Sequence, residues 1–136
     1  MTKKGSCLCG AVAFSVSGDI RGVGQCHCSL CRKTSGTNGN AVFIVPNEAF
    51  AWLKGEDHQQ TFAPKPTWSI TRCKTCGSPL PSSYDGKQTW VIAGLMDDPL
   101  NAQVEMHIFC ASRADWDVEA DTAQSFDEFP GGAASS

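Results

Sequence analysis

The sequence predicts a mainly β domain, and three observations support this prediction. Several short segments either alternate between apolar and polar residues or are rich in β-branched and aromatic residues. Thirteen glycines and seven prolines divide these segments at short intervals, as expected for turns between strands. Helical patterns are confined to residues 29–35 and a single turn near residues 46–50. We therefore expect a β-sandwich or a small barrel of antiparallel sheets with short helical turns.

The strands are predicted in chain order from their apolar patterns. Residues 11–17 alternate, with Val12, Phe14 and Val16 on one face, and this pattern predicts a half-buried strand. An apolar run at residues 41–45 ends at Pro46 and predicts a buried strand rather than a helix. Further strands are predicted at residues 60–62, 67–72, 89–93 and 105–109.

Length, charge and composition limit the classes of protein to which the chain can belong. A chain of 136 residues is expected to form a single domain, here residues 1–130, followed by a flexible tail, Gly-Gly-Ala-Ala-Ser-Ser, at residues 131–136. The net charge of −3 argues against a general nucleic-acid partner. The sequence contains no apolar stretch that predicts a signal peptide or a membrane span. Clustered cysteines in such a chain indicate reduced thiols and a cytoplasmic location.

Seven of the eight cysteines fall into three tight clusters, and this pattern predicts metal sites. The clusters are Cys7-x-Cys9, Cys26-x-Cys28-x-x-Cys31 and Cys73-x-x-Cys76. Zinc held only by protein prefers four ligands in a tetrahedron. Two, three and two sulfurs therefore allow one complete four-sulfur site and one three-sulfur site. We expect two zinc ions per chain.

The two outer pairs are predicted to form a structural zinc site. Cys7, Cys9, Cys73 and Cys76 lie far apart in sequence, and a glycine follows each pair, where the backbone must turn towards the sulfurs. A metal ion bound to both pairs would stabilise the fold. The alternative is a set of unligated core cysteines.

The middle cluster is predicted to form an open zinc site. Cys26, Cys28 and Cys31 leave one coordination position for a substrate or ligand, and Arg32 and Lys33 would favour thiolates and attract an anion. Two alternatives stay open: redox chemistry, or a second structural site. The fourth ligand of such a structural site would be one of four residues: His27, His58, His107 or Cys110. We expect His27 to support the site rather than ligate, and Cys110 to be buried and unreactive.

The motifs together resemble the glutathione-dependent formaldehyde-activating enzyme family, which includes the centromere protein V type domain. The resemblance covers residues 5–130. The matching segments are Gly5-Ser6-Cys7-x-Cys9-Gly10, Cys26-His27-Cys28-Ser29-x-Cys31-Arg32-Lys33, Cys73-x-x-Cys76-Gly77-x-Pro79-Leu80, Gly94-x-x-Asp97-Asp98-Pro99 and His107-Ile108-Phe109-x-x-Ser112-Arg113-x-x-Trp116. It implies an Mss4-like fold of stacked, twisted β-sheets, stabilised by zinc, with a structural four-cysteine site and a three-cysteine site that faces the substrate.

The resemblance also implies an activity. The family name describes the joining of formaldehyde to glutathione, which gives S-hydroxymethylglutathione and is a carbon–sulfur lyase reaction. Cys26, Cys28 and Cys31 would then be the catalytic metal ligands. The cations that could bind the glutathione carboxylates are Arg32, Lys33, Lys74 and Arg113. Arg72 departs from the family pattern, in which the residue before Cys73 is often aromatic, and residues 52–68 follow no family pattern.

Two non-enzymatic functions remain as alternatives at this point. The chain could be a carrier that binds glutathione or another small thiol without accelerating a reaction. It could also be a zinc-stabilised interaction module. Kinetics separate the enzyme from the carrier, because a catalyst must exceed the spontaneous reaction of a thiol with formaldehyde.

Overall fold

The computed structural model describes residues 1–118 and 120–131, which form three β-sheets and one short α-helix. The strands are β1 (Thr2–Ser6), β2 (Ala13–Ser17), β3 (Val23–Cys26), β4 (Asn40–Pro46), β5 (Phe50–Lys54), β6 (Gln59–Lys65), β7 (Trp68–Cys73), β8 (Ser82–Ser83), β9 (Gln88–Ile92) and β10 (Val104–Ile108). The helix α1 spans Ser29–Ser35, and three single 3₁₀ turns span Asn47–Ala49, Ala93–Leu95 and Cys110–Ser112. The prediction of a mainly β domain is confirmed.

Two of the sheets enclose the main hydrophobic core. The first sheet has the strand order β1-β2-β5, and the second has the order β10-β3-β4-β9-β8. Apolar side chains of β2, β4 and β9 meet between them; the buried members are Phe14, Val16, Ile20, Phe43, Val45 and Val91. The third sheet is the hairpin of β6 and β7.

The strand pairs are antiparallel except for one. β10 runs parallel to β3, with His107 beside Gln25 and Ile108 beside Cys26. The remaining pairs of the described sheets are antiparallel, as predicted. The parallel pair brings the last strand next to the segment that carries the three-cysteine cluster. Residues far apart in sequence therefore meet at one end of the second sheet.

The alternating pattern of β2 is realised in the structure. Phe14 and Val16 are buried in the main core, and Val12 lies just before the strand in a second core cluster with Cys7, Cys73 and Leu80. Burial of one such side chain contributes about 1.5–3 kcal/mol. The second core cluster lies beneath the four-cysteine site, so the apolar packing and the cysteine pairs support each other.

The predicted strands are confirmed, and four further strands are present. The predicted strands at 41–45, 60–62, 67–72, 89–93 and 105–109 correspond to β4, β6, β7, β9 and β10, and the helix at 29–35 is confirmed as α1. The strands β1, β3, β5 and β8 were not predicted. Of the predicted flexible tail at residues 131–136, all but Gly131 lies outside the described residues. Among the described residues, no helix combines the length and the apolar character needed to cross a bilayer.

Candidate metal centres

The four outer cysteines come together in one cluster. Cys7 follows β1, Cys73 ends β7, and the Sγ atoms of Cys7, Cys9, Cys73 and Cys76 all lie within 4.8 Å of one another. The Sγ atoms of Cys7 and Cys9 are 3.6 Å apart, and those of Cys9 and Cys73 are 3.8 Å apart. A zinc tetrahedron with bonds of about 2.3 Å requires sulfur–sulfur distances of about 3.8 Å. The cluster therefore fits a zinc ion without rearrangement.

The two halves of this cluster are built by matching turns. The Gly10 N–H donates to the Cys7 carbonyl, and the Gly77 N–H donates to the Cys73 carbonyl, at 3.1 and 3.0 Å. Both glycines have a positive φ, +79° and +76°, a conformation that glycine adopts without the strain of a side chain. The glycine after each cysteine pair therefore lets the backbone turn around the sulfurs.

The environment of the four thiols favours negative charge at some positions and opposes it at others. Hydrogen bonds from the side chain and backbone of Ser78 lower the pKa of Cys76 to about 5. For Cys7, burial alone would raise the pKa, but the Val12 N–H and the neighbouring thiols outweigh it and hold the pKa below its usual value. The Ala11 N–H lowers the pKa of Cys9, yet desolvation and the three other cysteines raise it to about 11. A bound cation would allow all four sulfurs to be thiolates together.

The middle cysteines form a second cluster at the end of the second sheet. Cys26 ends β3, Cys28 is the N-cap residue of α1, and Cys31 lies in the first turn of that helix; their Sγ atoms lie within 4.8 Å of one another. The Cys28 Sγ accepts a hydrogen bond from the Cys31 N–H at 3.3 Å. Cys26 and Cys31 are buried, whereas Cys28 is partly exposed. Access to the cluster is therefore from the side of Cys28.

The thiols of this cluster differ in their ease of ionisation. Burial raises the pKa of Cys26 and of Cys31 above the usual value. For Cys28, burial also opposes ionisation, but the Cys31 N–H and the two neighbouring thiols lower the pKa. The three sulfurs form a soft donor set that suits zinc. The donor set and the short separations are compatible with zinc.

None of the four residues considered as a fourth ligand joins the three-cysteine cluster in the described part of the chain. His58 lies elsewhere, with Nε2 2.6 Å from the Thr75 hydroxyl. His27 and His107 are hydrogen-bonded to each other, with His27 Nε2 2.8 Å from His107 Nδ1. The geometry thus favours an open three-sulfur site over a closed one.

Cys110 is exposed, and the prediction that it is buried was wrong. The strand-like pattern of His107-Ile108-Phe109 does not continue, because Phe109 adopts a left-handed backbone conformation with φ of +55°. This residue ends β10 and starts the 3₁₀ turn Cys110–Ser112. The turn places Cys110 at the surface, with its Sγ 3.9 Å from an Nη2 of Arg113.

Arg72 connects the two cysteine clusters. Its guanidinium donates to the Gly77 carbonyl at 2.8 Å, in the turn that holds Cys76, and also to the Thr34 carbonyl at the end of α1. The second contact satisfies one of the carbonyl groups that every helix leaves free at its C-terminus. The residue that departs from the family pattern therefore has a structural function, which the sequence did not indicate.

The four cations considered for substrate binding occupy different surroundings. Arg32 and Lys33 lie on α1 directly after Cys31; Arg32 is half-buried and Lys33 is exposed. Lys74 is exposed in the turn between Cys73 and Cys76. Arg113 is half-buried and lines a cavity beside β3 and β10. Of these four cations, Arg113 is the one that lines this cavity.

This polar cavity has a volume of about 490 Å³ and an unusual concentration of functional groups. Its lining residues are Gln25, His27, Asn38, His107, Cys110, Arg113, Asp117 and Val118. His27 is 1% exposed, and its Nδ1 lies 3.3 Å from Asp117 Oδ2. Asp117, His27 and His107 thus form a chain of polar groups behind the three-cysteine cluster. Sequence reasoning missed Asp117, since an acidic residue beyond the last strand gives no signal of its own.

A second, apolar groove of about 460 Å³ lies on the outer face of the second sheet. Gly22 and Gly24 leave room for it along β3, and Val42, Met106 and Ile108 are among the residues that line it. Ile108 is also the register partner of Cys26. The polar cavity and this apolar groove therefore both lie beside β3.

Comparison with known proteins agrees with these sites. The family model described as "Glutathione-dependent formaldehyde-activating enzyme" matches residues 2–112, which include both cysteine clusters. The chain belongs to this family. Within the glutathione-dependent formaldehyde-activating enzyme family, a Halomonas elongata protein named "Putative glutathione-dependent formaldehyde-activating enzyme" is 36% identical over 63 residues. The matched segment is 46% of this chain and spans 40% of that relative's length.

A solved structure shares the fold. It is the crystal structure of a Rhodobacter sphaeroides protein, and the superposition has a TM-score of 0.54 and covers 74% of this chain and 98% of the other. The sequence identity is 20%, so the likeness concerns the fold alone. For this member of the formaldehyde-activating family, function must be argued from the sites.

Proposed function

We propose that this protein is a zinc-dependent carbon–sulfur lyase that joins a small thiol, with glutathione favoured, to formaldehyde. The observation that carries the proposal is the cluster of Cys26, Cys28 and Cys31, which offers three sulfurs within 4.8 Å of one another and no fourth protein ligand in the described residues. An open coordination position is the mark of a catalytic zinc site. The family membership of the chain supports a glutathione-related activity on formaldehyde.

The two clusters have different functions in this proposal. Cys7, Cys9, Cys73 and Cys76 would hold a structural zinc, because their four sulfurs lie within 4.8 Å of one another and belong to two distant segments. Cys26, Cys28 and Cys31 would hold the second zinc. When bound there, zinc supplies a soft Lewis acid that keeps a thiol deprotonated at neutral pH.

The residues around the three-cysteine cluster would position the reactants. Cys28 is the partly exposed member, so the substrate thiol approaches from its side. The thiolate sulfur attacks the carbonyl carbon of formaldehyde, a carbon–sulfur bond forms, and the electron pair of the carbonyl π bond moves to oxygen, which takes up a proton from water. Holding both reactants in one place raises their effective concentration. The seven clustered thiols must stay reduced, which favours a cytoplasmic location.

Spectroscopy of the cobalt-substituted protein tests direct thiol binding. Sulfur coordination to Co²⁺ gives intense charge-transfer bands, so glutathione should change the spectrum saturably in the wild type. Cys28→Ser should abolish or distort this response, whereas Asp115→Asn should preserve it, because Asp115 is exposed and belongs to neither cluster. S-methylglutathione, which lacks an ionisable thiol, should leave the bands unchanged.

A kinetic comparison tests whether binding leads to catalysis. The rate of S-hydroxymethylglutathione formation with enzyme should exceed the spontaneous rate and should fall to that rate in Cys28→Ser. Saturable thiol binding without acceleration would instead identify a carrier. No spectral response to any thiol would remove the basis of the proposal.

A further inference from the structure

The polar cavity contains most of the unpaired buried polar atoms found in the described part of the chain. Four buried side-chain atoms there make no hydrogen bond, and three of them belong to lining residues: Arg113 Nε, and the His27 Nδ1 and Asp117 Oδ2 atoms, which face each other at 3.3 Å. A buried donor or acceptor without a hydrogen bond destabilises the folded protein, so such groups are rare. Their gathering in one cavity indicates a polar ligand that pairs with them.

The charges in the cavity indicate what this ligand carries. Among the described residues, the Arg113 side chain has no acidic partner, and the one hydrogen bond of its guanidinium is the weak contact with Cys110 Sγ. Asp117 lies near His27 alone, at 3.3 Å and without hydrogen-bond alignment. One wall thus offers a guanidinium to an anion, and the other offers a carboxylate to a cation. A guanidinium binds carboxylates through two parallel hydrogen bonds.

We propose that this cavity binds the ammonium and carboxylate head group of an amino acid, with the carboxylate at Arg113 and the ammonium at Asp117. The inference rests on the proposed function for the identity of the ligand: the head group is the γ-glutamyl end of glutathione. The amides of Gln25 and Asn38 line the same cavity and supply further polar contacts. A volume of about 490 Å³ suits a small ligand.

The position of the cavity connects it to the three-cysteine cluster. His27 lines the cavity and stands between Cys26 and Cys28 in sequence. Both strands beside it end here, β3 at Cys26 and β10 at Ile108, and these two residues are register partners, so the cavity and the cluster belong to the same end of the second sheet. An extended tripeptide spans about 10 Å. Glutathione would thus place its head group in the cavity and its thiol at the sulfurs.

Binding measurements on matched variants test the proposal. Arg113→Leu and Asp117→Asn remove one charge each from the cavity. Arg21→Leu and Asp115→Asn are the matched controls, because both residues are exposed and neither lines the cavity. Calorimetry should show glutathione affinity reduced about tenfold to a hundredfold in each cavity variant and unchanged in the controls. Arg113→Lys should recover part of the loss, and circular dichroism verifies that each variant is folded.

Modified ligands give a test on the unaltered protein. N-acetylglutathione lacks the ammonium and should bind the wild type about tenfold or more weakly than glutathione, with no further loss in Asp117→Asn. The affinity lost by Arg113→Leu should be at least about tenfold larger for glutathione than for 2-mercaptoethanol, which has no head group. The proposal would be overturned if the wild type bound glutathione and N-acetylglutathione with equal affinity and if Arg113→Leu and Asp117→Asn left the affinity for glutathione unchanged.

Failure of the head-group site can be distinguished from failure of the proposed function. S-methylglutathione retains the head group but cannot supply a thiolate. If it loses affinity in Arg113→Leu while the cobalt spectrum never responds to glutathione, the head-group site stands and the metal-thiolate function fails. If the cobalt spectrum responds equally in wild type, Arg113→Leu and Asp117→Asn, and neither variant changes the affinity for S-methylglutathione, the function stands and the head-group site fails.

Discussion

Replacing one cysteine in each cluster should destabilise the protein to different degrees. The four-cysteine cluster joins two segments that are 64 residues apart at Cys9 and Cys73. A cross-link that closes a loop of this length removes about 4 kcal/mol of conformational entropy from the unfolded chain, if a metal ion acts as a disulfide does in the chain-entropy model. The three-cysteine cluster lies within six residues, and the same relation gives about 2 kcal/mol. Cys73→Ser should therefore be the more destabilising substitution.

Thermal unfolding with zinc present gives the comparison. For a domain of this size, 1 kcal/mol corresponds to about 3–4 °C, so Cys73→Ser should lower Tm by about 15 °C or prevent folding. Cys28→Ser should lower Tm by about 7 °C and leave a folded protein that no longer binds glutathione through its metal. Cys110→Ser serves as the control, because Cys110 belongs to neither cluster and is exposed.

The result that would refute this reasoning is an equal loss of stability in the two cluster variants. It would mean that the three-cysteine site also holds distant parts of the fold together. The contacts of Arg72 with both Gly77 and Thr34 provide a route for such coupling. If the Arg72 contacts couple the two clusters, the loss of Tm caused by Cys28→Ser should be smaller in a protein that also carries Arg72→Leu.

Three further predictions concern metal content, backbone geometry and thiol reactivity. Elemental analysis of protein purified without chelator should give about two zinc ions per chain, and a content well below one would remove the structural assignment. In denaturant titrations, Gly55→Ala should lower the free energy of unfolding by roughly 3 kcal/mol or more, because the added Cβ would lie 2.2 Å from the Ala11 carbonyl oxygen at a φ of +74°. Gly18→Ala should lower it by about 1–2 kcal/mol, because Gly18 has a φ of +81° but nothing lies within 4 Å of the added Cβ. In chelator-treated protein that circular dichroism shows to be folded, alkylation of Cys76 should stay fast as the pH falls to about 5 and slow below it, because its pKa is about 5 and its thiolate is lost only there. Mass spectrometry of iodoacetamide-labelled peptides should show Ser78→Ala slowing this reaction at pH 6.

The sequence predicted those parts of the fold in which local pattern and structure agree. Val12, Phe14 and Val16 alternate because one face of β2 is buried, and the spacing of the cysteines follows from the size of a metal ion. By contrast, β1 carries the sequence Thr-Lys-Lys-Gly-Ser, and its pairing with β2 buries Lys3, which no hydrophobic pattern indicates. In β3, Val-Gly-Gln-Cys is too short and too rich in polar and small residues to predict a strand.

The composition of the two clusters was predictable, but their surroundings were not. Cys26, Cys28 and Cys31 are neighbours in sequence, so their grouping needs no tertiary information. The polar cavity depends on the parallel pairing of β10 with β3, which places His107 beside Gln25. Such a pairing joins residues about 80 positions apart in the chain, and single-sequence patterns carry no information on it. The exposure of Cys110 depends on one left-handed residue, Phe109, whose conformation its identity does not suggest.

Because the two clusters extend over different lengths of the chain, they are completed at different times during synthesis of the protein. The segment from Cys26 to Cys31 emerges from the ribosome as a complete three-sulfur chelator, whereas the other cluster is incomplete until Cys76 has been made. At about 5–20 residues per second, the interval is about 2–9 s. Throughout it, the nascent chain offers a metal ion a local site and only half of the distant one. When metal is scarce, the first ion should therefore bind the segment that needs it least for folding, and the four-cysteine cluster, which joins the N-terminal and central segments, should be filled last.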